Sequence, residues 1–422
     1  MIFTNLKFHC RGNSNAGCSG FTLREARYLL IAVALSILLV SPVHAGPREQ
    51  AKRMHDRIAG VPPTEAVLDS MEADIIASNE TDAANTALEH SAFYSVTLKN
   101  MVTPWTNEEQ TVFAPLNDYT ATVIGLVRDN EDFRKILYDD IVYVGAPALG
   151  LPAYSMSNNN HYATMETQGV DLKANLTPST QSSVMDIPAS ATAGVMTTRA
   201  AARSFFIDGT NRAMFRFTVL NHLCDDLEQI KDVTRSSDRV RQDVSRSPGG
   251  DSRIFMNACV GCHSGMDPMA QAYAYYDFEY TDDADAGRMV YNGEGVSDPD
   301  TGSRVQGKYL INSSNFKYGY ITTSDSWSNY WRAGQNSLLG WDTENLGLPA
   351  NGSGAKSMGV ELANSNAFAQ CQVEKVFKTV CLREPGNAAD RTQISTMVTS
   401  FKANTYNLKN TFAESAVYCM GD

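Results

Sequence analysis

The chain has 422 residues, of which 43% are hydrophobic and 19% charged, the balance of a globular protein with enough length for a substantial core. Its formal net charge of −12 opposes binding to nucleic acid or anionic lipid and suits a partner with a basic surface. No basic run interleaved with aromatics offsets that charge.

The first recognisable element is the apolar run Tyr28 to Val40, "YLLIAVALSILLV", preceded by Arg24 and Arg27 and followed by "SPVHAG". Basic flank, short apolar stretch and small-residue ending have the layout of a secretory signal peptide, residues 1–45, cleaved after Ala45. The run is short of the ~20 residues a membrane span needs. A retained anchor and a prepilin-like leader starting at "GFTLREARYLL" are the competing readings, and every one of them exports the chain. Cleavage would remove four basic residues and one acidic residue from a charge of −12, leaving −15 on a periplasmic or otherwise exported protein with no stable membrane span.

Beyond the leader, Pro62-Pro63-Thr64 marks a helix start, and Val67, Leu68, Met71 and Ile75 then fall on one helical face. Helical patterning continues through "TDAANTALEHSAFYSVTLKNM", breaks at "PWTN" and resumes in "DYTATVIGLV" and "NEDFRKILYDD"; "IVYVG" suits a short strand. Residues 145–195 are rich in Asn, Ser, Thr, Gly and Pro and predict a long irregular excursion. In "TNRAMFRFTVLNHLCDDLEQI" Thr210 is placed to cap a helix whose stripe is Met214, Phe217, Leu220 and Cys224. The polar stretch "KDVTRSSDRVRQDVSRSPGGD" then reads as a linker, which places a domain boundary near residue 240, between a helical domain 46–240 and a second domain 241–422.

In that second domain Asp251 caps a short helix that delivers Cys259, and Asp267-Pro268 reads as the N-cap and first-turn proline of another helix. Tyr273, Tyr276 and Tyr280 share helical spacing. Residues 281–357 predict long irregular loops interrupted by a helix in "SDSWSNYWRAG", and the last 65 or so residues predict three helices. The expected class is mainly α.

The chemistry concentrates in "NACVGCHSGMDPM", residues 257–269. In C-x-x-C-H the two thiols add across the two vinyl groups of haem, which requires them close together on a turn of helix. The next residue then lies under the iron, so Cys259 and Cys262 would anchor one haem c and His263 Nε2 would be its proximal ligand. A zinc site would need a second ligand pair, which the chain lacks, and a thioredoxin-like dithiol would need a βαβ context. Met266 and Met269 lie too close behind His263 to reach the opposite haem face and read as packing. Met358, in the Gly-rich "NGSGAKSMGVELAN", is the first candidate for the sixth ligand, with Met289 second and His90, His161 and His222 further back. With Cys10 and Cys18 in the leader, Cys224, Cys371, Cys381 and Cys419 remain, an even number suited to two disulfides in an oxidising compartment; three pairings are open.

"ACVGCHSGMDPMAQAYAYYDF" resembles the haem segment of planctomycete-type cytochrome c proteins, in which C-x-x-C-H-x-x-M-D-P precedes a short helix and an aromatic-Asp/Phe ending. "IAGVPPTEAVLDSM", "NEDFRKILYDDIVYVG" and the helices around "FAQCQVEKVFKTVCL" resemble further segments of that family, in the same order. "VCLREP" departs from the Gly-Arg pair more usual there. The resemblance implies an exported single-haem protein built of helical modules, with a cytochrome c-like second domain, and supplies no substrate. The expected function is single-electron transfer to a redox partner with a basic docking surface. The alternatives are a haem oxidoreductase with an open iron site and a pocket formed with the N-terminal domain, or a haem-bearing docking subunit of a larger complex.

Overall fold

A computed structural model describes residues 45–207, 209–281, 286–343 and 346–421; the leader, with Cys10 and Cys18, lies outside them. The first helices begin where the local chemistry calls for it. Helix α1 (Pro47–Ala59) closes on Gly60, whose φ of 73° is the left-handed conformation that glycine adopts without a Cβ penalty. Helix α2 (Glu65–Ile76) is capped by the Thr64 hydroxyl, which accepts from the Val67 N–H at 3.4 Å, and it buries Leu68, Met71 and Ile75. These two pack with α3 (Glu80–Leu88), and α1 and α3 rest against the last helix of the chain.

Helix α4 (Asp118–Arg128) is buried along most of its length and is capped by Asn117, whose side chain accepts from the Thr120 N–H. The strand expected at "IVYVG" is β1 (Val142–Gly145), paired antiparallel with β2 (Leu176–Ser179) so that Val142 faces Ser179. The excursion over 145–195 is mostly loop, holding α5 (Asn160–Thr167) and short helical turns. Helix α6 (Arg199–Phe205) follows, then α7 (Arg212–His222). Thr210 does not cap α7: Asn211, at φ 58°, occupies the cap position, and Thr210 Oγ1 accepts instead from Arg241 at 2.6 Å.

Asp251 accepts from the Arg253 N–H and starts one helical turn, a π-helical turn follows over Phe255–Cys259, and α8 (Val260–Ala270) continues it. Helix α8 runs through Asp267 and Pro268, so the helix start expected there is absent. The tyrosine stripe is also not helical. Tyr273 ends a short 3-10 turn, while Tyr276 and Tyr280 sit on β3 (Tyr276–Tyr280), which pairs antiparallel with β4 (Gly287–Tyr291). "SDSWSNYWRAG" forms β5 (Ser326–Ser328) and a 3-10 turn rather than a helix, and β5 pairs with β6 (Asn351–Ser353). The three C-terminal helices follow α9 (Gly354–Ala363) as expected: α10 (Asn366–Cys381), α11 (Ala388–Ala403) and α12 (Leu408–Cys419). The fold is mainly α. Among the described residues no helix is long and apolar enough to cross a membrane.

One apolar core crosses residue 240, where the composition places a domain boundary. Phe133, Tyr143 and Met214 from one side share it with Tyr273, Met358 and Phe377 from the other, and residues 46–422 make a single compact unit. The polar stretch before the motif is anchored to the interior at two charged residues, Asp232 and Arg241, which are buried and paired there. Of the three disulfide pairings, the protein has Cys224–Cys371, with Cα atoms 5.3 Å apart, and Cys381–Cys419, at 5.5 Å. The first ties the end of α7 to α10, and the second ties the ends of α10 and α12.

Helix α9 sits directly on the 133–137 segment, because a methyl at Gly359 would overlap the Leu137 carbonyl oxygen. Gly→Ala inside a helix ordinarily stabilises by about 0.5–1 kcal/mol. Gly359→Ala is expected to reverse that sign and destabilise by about 1–3 kcal/mol, the cost of overpacking a tight site, measured as a lowered urea midpoint at unchanged slope.

Candidate functional site

Helix α8 carries the motif, and each of its faces has a different neighbour. Gly261 and Gly265 form the back. A Cβ at Gly265 would overlap the Trp331 ring and the Arg235 guanidinium, and one at Gly261 would stand 3.1 Å from Lys231 Cβ. The two glycines therefore let segment 231–235 lie flat against the helix, with Arg235 stacked 4.4 Å over the Trp331 ring. At 100° per residue, His263 projects about 200° from Gly265, on the opposite side.

Cys259 and Cys262 are free, half-buried thiols. Cys262 Sγ lies 3.4 Å from the Leu227 carbonyl oxygen, and burial pushes its thiol up from the ordinary value, which keeps it protonated rather than a reactive thiolate. Three residues before Cys259, Met256 is 53% exposed.

His263 is held by the residue one helical turn ahead. Its Nδ1 lies 3.0 Å from Asp267 Oδ1. Asp267 is fully buried and receives three further donors: Arg212 Nε to Oδ1 at 2.7 Å, Arg212 Nη2 to Oδ2 at 2.9 Å, and the Arg241 backbone N–H to Oδ2 at 3.2 Å. The Arg241 guanidinium lies 3.7 Å from the same carboxylate. Arg212 also forks onto Asp243, donating to Oδ1 at 2.9 Å and to Oδ2. Burial opposes ionisation of Asp267, but Arg212 and Arg241, with the His263 hydrogen bond, outweigh it and hold the carboxyl well below the usual range. An ionised carboxylate only accepts, so Nδ1 carries a proton in this hydrogen bond, and the neutral ring then has its lone pair on Nε2. A carboxylate that fixes the tautomer of a histidine in this way is the usual support of a metal-ligating imidazole.

Asp267 is visible in the sequence as part of the string M-D-P, and the i, i+4 spacing on a helix is the signal for its pairing with His263. Arg212 and Arg241 carried no sequence signal, since neither is near the motif in the chain and one sits in an apparent linker.

The sixth-ligand candidates fall elsewhere. Met358 is not in a loop. Gly354, at φ 78°, opens α9, and Met358 lies inside that helix, fully buried in the main core. Met289 is buried on β4 opposite Phe278. His161 has both ring nitrogens engaged, Nδ1 with the Pro152 carbonyl at 2.7 Å and Nε2 accepting from the Gly145 N–H at 2.9 Å. His222 Nε2 meets the Tyr119 hydroxyl at 2.8 Å, and burial, then the charge of Lys375, pushes this imidazole down to about 3. His90 Nδ1 accepts from the Ala92 N–H at 3.1 Å. Among the described residues none of these histidines stacks on or hydrogen-bonds to His263. Met266 and Met269 are buried in the core. Tyr273 and Tyr276 reach toward the 191–196 segment, donating to Met196 Sδ and the Ala191 carbonyl, so they do not line the motif as a stripe.

A cavity of about 540 Å³ lies apart from the motif, lined by Asn117, Asn159, Arg199 and Ser204 among others and by no residue of α8. Among the described residues no three His, Cys, Asp or Glu side chains converge in a metal-holding group. The chain matches no protein-family model, no curated protein and no solved structure.

Asp267→Ala would leave the Arg212 and Arg241 charges without their shared partner in the interior, and it is expected to cost about 3–5 kcal/mol. Asp251→Ala, which removes a surface cap and its ion pair with Arg253, is expected to cost much less. Urea unfolding of the two variants side by side checks the ordering.

Proposed function

We propose that this chain is an exported c-type cytochrome that carries one covalent haem and passes single electrons. The observation that carries the reading is the commitment of His263 Nδ1 to Asp267, which leaves Nε2 as the free donor, one residue after two unpaired thiols on the same helix. The donor set suits haem c better than a chelated ion. The two sulfurs and the imidazole do not converge on a common point, and in haem c only the imidazole meets the metal while the thiols bond to carbon.

In this reading Cys259 and Cys262 would anchor the haem, each thiol adding its S–H across one vinyl group so that sulfur bonds to one carbon and hydrogen to the other, and His263 Nε2 would hold the iron. The bound haem supplies reversible one-electron exchange at iron. The protein's part is to orient the imidazole through Asp267, to hold the helix against segment 231–235, and to keep the motif at the surface, where a partner can approach. Met358, the proposed sixth ligand, lies inside α9 with its thioether in the core and not in a loop. The acidic charge suits a basic redox partner, and two disulfides suit an oxidising compartment. A substrate pocket shared with the N-terminal half finds less support, since the 540 Å³ cavity has no lining residue from the motif helix.

The test is expression in the periplasm of a bacterium that matures c-type cytochromes. The unaltered chain is expected to gain the mass of one haem and a pyridine haemochrome spectrum that survives denaturation. Cys259→Ser with Cys262→Ser is expected to lose both. A wild-type chain that emerges from that host without covalent haem refutes the proposal.

A further inference from the structure

The acceptor for His263 is unusual in what surrounds it. Resting on the haem reading above, we infer that Asp267 is a positioning residue that sets the donor strength of His263, and through it the potential of the iron, with Arg212 and Arg241 limiting how much it donates.

An imidazole whose Nδ1–H points at a neutral carbonyl is polarised little, whereas one that points at a carboxylate gains imidazolate character and becomes a stronger donor at Nε2. A stronger axial donor favours the ferric state and lowers the potential. Asp267 is such a carboxylate, 3.0 Å from Nδ1 and shielded from water. Left alone in the interior it would polarise the ring strongly. It is not alone: Arg212 donates to both of its oxygens, and the Arg241 guanidinium stands 3.7 Å away. Each cation draws charge from the oxygen that His263 uses. Arg212 is in turn shared with Asp243, so two acids and two bases close into a group of zero net charge beside the imidazole. The donor strength of His263 is therefore set by how Arg212 divides itself between Asp267 and Asp243.

This division makes opposite predictions for neighbouring residues. Asp267→Asn removes the acceptor charge and is expected to raise the midpoint potential and to lower the iron–imidazole stretching frequency in the resonance Raman spectrum of the ferrous protein. Arg212→Gln frees Asp267 to polarise the ring and is expected to move both quantities the other way. Asp267→Glu, which restores a carboxylate, is expected to return part of the shift.

The experiment is redox titration and resonance Raman of the matured, haem-bearing protein and these variants. Asp243→Asn, which leaves the whole of Arg212 to Asp267, is included because it spares the carboxylate that contacts His263; its expected shift follows Asp267→Asn in sign and is smaller. A purely structural role would open the site similarly in every variant and shift them all in one direction. Same-sign shifts for Asp267→Asn and Arg212→Gln overturn the inference, as do unchanged values in variants that retain covalent haem. Absence of covalent haem from the unaltered chain is a different result, the failure of the proposed function itself.

Discussion

Asp267 is a carboxylate with no access to water, and much of the surrounding structure follows from keeping it ionised there. Removing an ion from water costs several kcal/mol after relaxation, so such a group persists only where partners with good geometry converge. The partners here come from three places: Arg212 from α7, Arg241 from the stretch before the motif, and His263 from the motif helix itself. Satisfying one charge thus pins the two halves of the chain and the motif into a single arrangement. It also explains why a stretch with the composition of a linker runs through the interior. Its Arg241 stands beside Asp267 and its Arg235 beside Asp232, and a core shared by residues on both sides of position 240 closes around that group.

The opposite face of the helix is held by shape rather than charge. Gly261 and Gly265 remove the side chains that would keep segment 231–235 at a distance, and Arg235 and Trp331 fill the space as a stacked pair. With one face held by Asp267 and the other by this contact, the thiols and the imidazole are presented on a helix that has little freedom to rotate. On the haem reading, two sulfurs and one nitrogen would have to be placed around a flat cofactor, and a helix held on two faces supplies that preorganisation.

What could be read from the letters alone divides along a physical line. Local rules held wherever only local partners compete: Thr64 caps α2, "IVYVG" is a strand, and the three terminal helices lie where their periodicity puts them. They failed where a distant partner made a better offer. Asp267 has the residue type and the following proline of an N-cap, yet Arg212 and His263 claim its oxygens, and Pro268 continues the helix at the loss of one N–H. Thr210 is likewise claimed by Arg241. The Tyr273–Tyr280 stretch satisfies both helical and strand spacing. Pairing with β4 decides for the strand, since Tyr276 and Phe278 then face inward while Glu279 faces out. The motif was legible because its residues occupy five consecutive positions, whereas Arg212 and Arg241 were not, because nothing in composition distinguishes a solvated arginine from a buried one.

The same geometry bears on why so long a chain would surround so small a site. Electron exchange alone asks for far fewer residues, and a long N-terminal segment would ordinarily suggest a substrate pocket over the iron. The cavity on that segment is lined without the motif helix, however, while Arg212, which belongs to it, reaches the carboxylate behind His263. On the reading proposed here, the N-terminal half is joined to the metal through charge and not through a shared pocket. Its helices fix the position of a guanidinium, the guanidinium moderates a carboxylate, and the carboxylate adjusts one imidazole. A displacement of α7 by a fraction of an ångström would change how Arg212 divides between Asp243 and Asp267, since charge-assisted hydrogen bonds are steep functions of distance and angle. Any partner that binds the N-terminal half and moves α7 would then act on the potential without approaching the iron, which gives the larger part of the chain a physical connection to the chemistry of the smaller.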